Sequence, residues 1–199
     1  EHMIFKGSNK LKPGEFDYRI ESLGGTSNAS TGYDDAHYYV LIPPDKFKES
    51  ISLLTNLVLN PEININEFEL EKSVVLEEIK QQNDQPEEVL YNHFLKRVWQ
   101  NHFYGKPILG REEYINKIKI YDLIEFHEER YLNDNICISL AGNLPENTIK
   151  ILEDSEISPP NISTCKNQQN LNFNNTIRTG REKLFIKRLE LSRLIMAWQ

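Results

Sequence analysis

The stretch NEFELEKSVVLEEIKQQN, residues 66–83, decides how this chain is read. Its apolar spacing predicts a helix from about Asn66 to Gln82, with Asn66 a candidate N-cap. At about 100° per residue, Glu71 and Glu78 differ by only about 20° around the axis and share one stripe. Val74 and Val75 fall between them, Phe68 and Ile79 lie on one flank and Leu70 on the other, while Glu69, Ser73, Glu77 and Lys80 make a solvated face. A carboxylate on an apolar face must be paired, protonated or bound to a metal, because burying it alone is costly. Periodicity leaves two readings open: the pair meets a cation or a histidine, or the helix rotates so that the stripe straddles a polar boundary.

Outward from this helix, the pattern alternates between the two regular periods. FDYRIESL (16–23) predicts a short helix with Phe16, Ile20 and Leu23 on one face, stopped by Gly24 and Gly25. TSNASTGYDDAHYYVLIPP (26–44) predicts two strands, or one strand broken near Gly32, ended by Pro43 and Pro44. Phe47, Ile51, Leu54 and Val58 predict a helix running to Asn60-Pro61. Gln85-Pro86-Glu87-Glu88 opens another helix, with proline at its first position and acids in its first turn. HFYGKPILG breaks that helix, and helix resumes through EEYINKIKIYDLIEFHEERYL in two pieces. NICISLAG (135–142) alternates and predicts a strand, and residues 145–154 predict a last helix. These elements make residues 1–154 one α+β domain. Residues 155–181, rich in Ser, Pro, Asn and Gln, predict a linker. EKLFIKRLELSRLIMAWQ (182–199) predicts a strand-like segment that stops without punctuation.

Composition sets the outer limits. A chain of 199 residues, 39% hydrophobic and 27% charged, suits a globular domain with a sizeable core. The net charge of −7, with no basic cluster, argues against a nucleic-acid partner and permits basic peptides. No apolar run approaches the roughly 18 residues that would predict a membrane span. Cys137 and Cys165 lack the spacing of a metal knuckle and are too few for a disulfide framework. The chain begins in the middle of a pattern, so a leader ahead of it and the compartment stay open, with cytoplasm or periplasm the expectation for a bacterial protein.

The chain opens with Glu1-His2, a dipeptide without meaning until it is joined to Glu71 and Glu78. A histidine and a glutamate from separate helices are zinc-ligand types, and a further glutamate beside them is a typical support. Together with EHMIFKGS (1–8), ESLGGTSNASTGYDDAHYYV (21–40), LEKSVVLEEI (70–79), HFYGKPILG (102–110) and NICISLAGN (135–143), the chain resembles the insulinase/pitrilysin family of metallopeptidases. These are inverted zincins with an H-x-x-E-H helix, and the bacterial members are the most similar. The likeness covers residues 1 to about 150. Only the last two letters of that motif stand here, and its first histidine would fall ahead of Glu1.

The resemblance implies an α+β fold, with helices packed on a mostly antiparallel sheet as in the mitochondrial processing peptidases, here incomplete. It implies zinc as cofactor, His2 and Glu78 as zinc ligands, Glu1 as general base and Glu71 as the supporting acid. It also implies that Asn28, Ala29 and Thr31 form a substrate-binding edge, where an extended peptide adds as a strand. The expected activity is hydrolysis of peptide bonds in unfolded or extended peptides, completed by a second homologous half, of which residues 182–199 could be the start, or by a partner subunit. With two of three protein ligands, the polypeptide as written is expected to bind zinc weakly and not to turn over. The competing expectation is a non-catalytic member that binds peptides or supports an active partner. His37 follows Asp34-Asp35 on a strand, His93 and His102 flank a helix end, and His127 lies in a charged helix with no second histidine at helical spacing, so all four are expected not to be ligands.

Overall fold

Glycine, proline and asparagine punctuate the chain close to where the sequence predicts. The computed structural model describes residues 1–100, 102–157, 178–186 and 191–198. In chain order, a 3-10 turn at Ile4–Lys6 precedes helix α1 (Glu15–Ser22), strands β1 (Thr26–Thr31) and β2 (Ala36–Leu41), α2 (Phe47–Leu59) and α3 (Ile65–Asp84). Then come α4 (Pro86–Trp99), a 3-10 turn at Phe103–Gly105, α5 (Glu112–Ile115), α6 (Ile120–Arg130) and α7 (Thr148–Glu153). The described residues fall into two compact units, one of residues 1–71 and 118–157, the other of 72–100, 102–117, 178–186 and 191–198.

In the first unit β1 and β2 pair antiparallel, Thr26 opposite Leu41 and Thr31 opposite Ala36. The irregularity expected near Gly32 is the hairpin loop, closed by the Gly32 N–H donating to the Asp35 carbonyl at 2.8 Å. Because side chains alternate across a strand, Tyr38 and Val40 reach the same face. There they join Phe16 and Ile20 of α1 and Leu53 and Leu57 of α2 in one core with Ile4 and Leu11. Each such fully buried side chain contributes about 1.5–3 kcal/mol relative to exposure. Gly25 admits the close approach of α1 to the end of β2: a methyl group there would lie 2.7 Å from the Leu41 carbonyl oxygen. Helices packed on an antiparallel strand pair give the α+β class, as expected, with two strands among the described residues.

A smaller cluster of Phe47, Ile51 and Ile151 collects Leu140 and Leu152. Asn56, buried in α2, ties distant segments together. Its side-chain oxygen accepts from Ser8 Oγ at 2.6 Å, and its amide donates to Asn9 Oδ1 at 2.9 Å and to the Glu156 carboxylate at 2.9 and 3.1 Å. Asn60 and Lys10 also bind that carboxylate.

Among the described residues, the strand expected at NICISLAG is not formed. Residues 136, 138 and 140 are half-buried and 137 and 139 exposed, as a strand would have it, yet the backbone makes no ladder. A strand needs a neighbour to receive its hydrogen bonds, and among the described residues β1 and β2 pair only with each other. The start of α3 also moves. Ile65 is already helical, and the Asn64 side chain accepts from the Asn66 N–H at 2.8 Å, so Asn64 rather than Asn66 caps the helix.

In the second unit, α4 starts at Pro86 behind Gln85 with Glu87 and Glu88 in its first turn, as predicted. Arg97 donates to Glu182 at 2.7 Å and Arg193 to Glu87 at 2.9 Å. Trp99, His102, Phe103 and Tyr104 cluster, His102 stacked on Phe103 and Trp99 edge-to-face with Tyr104 at a centroid distance of 5.1 Å. Residues 182–186 and 191–198 carry no strand. Most of the expected linker, residues 158–177, lies outside the described residues, as does Cys165. No helix of the described residues is long and apolar enough to cross a membrane.

Candidate active site

The chain folds back at its first residues, where the Ile4 N–H donates to the Glu1 carbonyl at 3.0 Å and Ile4 is buried in the core. His2 and Lys6, on either side of this anchored turn, both reach Glu71 of α3. His2 Nδ1 lies 2.9 Å from Glu71 Oε2, and Lys6 Nζ lies 2.5 Å from Glu71 Oε1. Both oxygens of one carboxylate are therefore engaged, each by a different residue. The Glu71 side chain is only 12% exposed. Burial pushes its carboxyl upward, but the hydrogen bonds and charges of Lys6 and His2 outweigh that and hold it below the usual range.

Thr31, at the end of β1, donates its hydroxyl to Glu1 Oε2 at 2.5 Å. Ser27 donates to Asp17 Oδ1 at 2.7 Å, pinning α1 to the start of β1. Glu1, His2, Phe5, Lys6, Asp17 and Glu71, with Ser27, Asn28 and Ala29 of β1, line a pocket of about 350 Å³. Asn28 Oδ1 accepts from the Ala29 N–H at 2.8 Å, so a side chain covers this strand donor.

The structure thus gathers Glu1, His2, Glu71, Asn28 and Ala29 around one pocket, and it places the Thr31 hydroxyl on Glu1. Glu78 stands two turns beyond Glu71 on α3, half-buried, in the second unit. Among the described residues no three His, Cys, Asp or Glu side chains come together as a metal site. The apolar stripe expected on α3 is corrected. Leu70 and Val74 are 62% and 44% exposed, whereas Phe68 and Ile79 are 4% and 8% exposed. The helix is rotated toward the Phe68–Ile79 flank, which leaves Glu71 at the edge of the buried face.

Lys6, Phe5, Asp17 and Ser27 are pocket residues that sequence reasoning did not single out. Lys6 has a legible signal, its place four residues after His2. Asp17 and Ser27 have none, because only the packing of α1 on β1 brings them together. The remaining histidines have structural partners. His127 Nε2 lies 2.8 Å from the Val58 carbonyl and its ring stacks on Tyr131, His37 lies 3.4 Å from Asp35, and His93 lies 3.4 Å from Glu182. His102 Nδ1 accepts from the Tyr104 N–H at 3.2 Å.

Comparison with known proteins adds an independent line. The family model for insulinase, peptidase family M16, matches residues 1–112. The chain is 31% identical over 153 residues to the uncharacterized zinc protease YmxG of Bacillus subtilis strain 168, covering 77% of this chain and 37% of that protein. It is 27% identical over all 199 residues to an uncharacterized zinc protease of Rickettsia felis, covering 47% of it. The crystal structure of a protease from Helicobacter pylori superposes with a TM-score of 0.77 at 27% identity, over 81% of this chain and 39% of that one. The chain spans less than half the length of these relatives. With a family model that matches more than half of its residues, and with a solved protease sharing its fold, the chain belongs to the insulinase family, peptidase family M16.

Proposed function

We propose that this chain carries the general base and a zinc-holding histidine of a metalloendopeptidase that cleaves unfolded or extended peptides. The observation that supports this most directly is the 2.9 Å contact of His2 Nδ1 with the Glu71 carboxylate, next to Glu1. A histidine that binds a metal commonly donates its other ring N–H to a carboxylate, which sets the tautomer and the ring orientation. The residues fit that arrangement: Glu71 is the partner of Nδ1, and Nε2 is the ligating nitrogen. Glu78 enters as a further ligand on the family resemblance. Zinc, when bound, lowers the pKa of a water molecule toward 7 and polarises the scissile carbonyl.

Glu1 takes up the proton and later delivers it to the leaving amine. The Thr31 hydroxyl holds one oxygen of Glu1 and so limits rotation of the carboxylate. An extended peptide adds to β1 through main-chain hydrogen bonds, with Asn28 Oδ1 displaced from the Ala29 N–H as it does so. This mode favours peptides without structure of their own. A second homologous half or a partner subunit completes the chamber in this reading.

The test is made on the full-length protein that carries this chain. Glu1→Gln is expected to keep its zinc and to lose about 10²–10⁴-fold in cleavage of a quenched fluorescent peptide. His2→Ala and Glu78→Ala are each expected to lower the zinc content. Undiminished cleavage by Glu1→Gln removes that residue as the base, and unchanged metal in the other two removes them as ligands. Zinc retained without cleavage of any extended peptide by the unaltered protein favours the non-catalytic reading instead.

A further inference from the structure

We infer that Lys6 is a positioning residue for His2: its ammonium holds Oε1 of Glu71 at 2.5 Å, so that Oε2 is aimed at His2 Nδ1, 2.9 Å away. The inference rests on the reading in which His2 binds zinc and extends it to a residue that touches neither metal nor substrate. Its basis is the two-point hold on one carboxylate. A carboxylate group turns easily about its last torsion, where the rotamer wells are broad, so a single hydrogen bond leaves its plane loosely set. Holding the second oxygen from a separate group fixes the plane, and with it the direction from which Oε2 meets the imidazole.

The geometry of the turn makes Lys6 suited to this. Lys6 closes the 3-10 turn Ile4–Lys6, whose Ile4 side chain is 4% exposed in the core, so the backbone that carries both His2 and Lys6 is anchored between them. The Lys6 side chain is 30% exposed and Glu71 12%, which places their contact in a partly desolvated setting where a charge-assisted bond is stronger than on an open surface. Lys6 supplies the positive charge that a buried carboxylate requires. With Oε2 so aimed, it accepts a hydrogen bond from Nδ1–H, the proton stays on Nδ1, and the lone pair of the ring is placed on Nε2.

The experiment uses the full-length protein freed of metal, labelled with 15N-histidine and examined at pH 8. In the unaltered protein the long-range 1H–15N pattern of His2 is expected to show the proton on Nδ1. Lys6→Met is expected to shift His2 toward a mixture of tautomers and to weaken zinc affinity, measured by chelator competition, by about 10- to 100-fold. Lys6→Arg, which keeps a cation in reach of Oε1, is expected to restore both readouts. Thermal melts check that each variant folds, and if Lys6→Met does not, Lys6→Gln is read in its place. A His2 tautomer unchanged in the neutral variant, with zinc affinity within about twofold, overturns the inference. Should His2→Ala leave zinc affinity unchanged, the ligand assignment falls, and the tautomer shift alone then decides the role of Lys6.

Discussion

At the residue scale, Glu71 is where burial and charge oppose each other most directly. Desolvation raises its carboxyl, and Lys6 and His2 bring it below the usual value of 4.5. A folded-state value below the unfolded one means that the ionised carboxylate stabilises the fold. That stabilisation is complete above about pH 4.5 and is lost as pH falls through the lower folded-state value. Glu71→Gln is therefore expected to flatten the acid limb of the stability curve below about pH 4.5, compared by urea unfolding at a series of pH values. Parallel acid limbs in the two proteins would show that the pairing carries no net stabilisation. Glu1 and His2 are singled out in the sequence by the family resemblance, as the last two letters of its motif. Lys6, the other partner of Glu71, is not singled out, because a lysine four residues after His2 reads equally well as a solvated side chain.

At the scale of elements, α3 shows where periodicity stops being informative. The pattern predicts the helix and the shared stripe of Glu71 and Glu78, because both follow from 3.6 residues per turn. It does not rank Leu70 and Val74 against Phe68 and Ile79, since both flanks are apolar. Contacts chose the Phe68–Ile79 side. The cap moved for a related reason: Asn64 and Asn66 are both competent caps, and the Asn64 side chain makes the bond. Asn64→Ala is expected to cost about 1 kcal/mol and Asn66→Ala no more than a few tenths, read as shifts in urea midpoint. Equal costs at the two positions would return the cap to Asn66. The segment 135–142 carries the alternation of a strand and forms none among the described residues. Period two is a property of the segment, whereas a ladder is a property of a pair.

At the scale of the molecule, the Asn56 network closes the first unit across long sequence separations. A buried asparagine whose amide and carbonyl serve Ser8, Asn9 and Glu156 leaves several polar groups unpaired when removed. Asn56→Ala is expected to destabilise by about 1–3 kcal/mol, and Glu156→Ala by less, because its partners Lys10 and Asn60 are nearer to water. Urea unfolding followed by circular dichroism checks both, and a neutral Asn56→Ala would show that the network contributes little. The sequence by itself determined most of the helices, the two strands around Gly32 and the family, because these depend on short-range periodicity, turn residues and motif spacing. Only the tertiary structure decided which face of α3 is buried, that Lys6 shares Glu71 with His2, that Thr31 holds Glu1, and that residues 135–142 join no ladder among the described residues. Each of these is set by which distant segment arrives beside a residue, and a one-dimensional pattern does not contain that information.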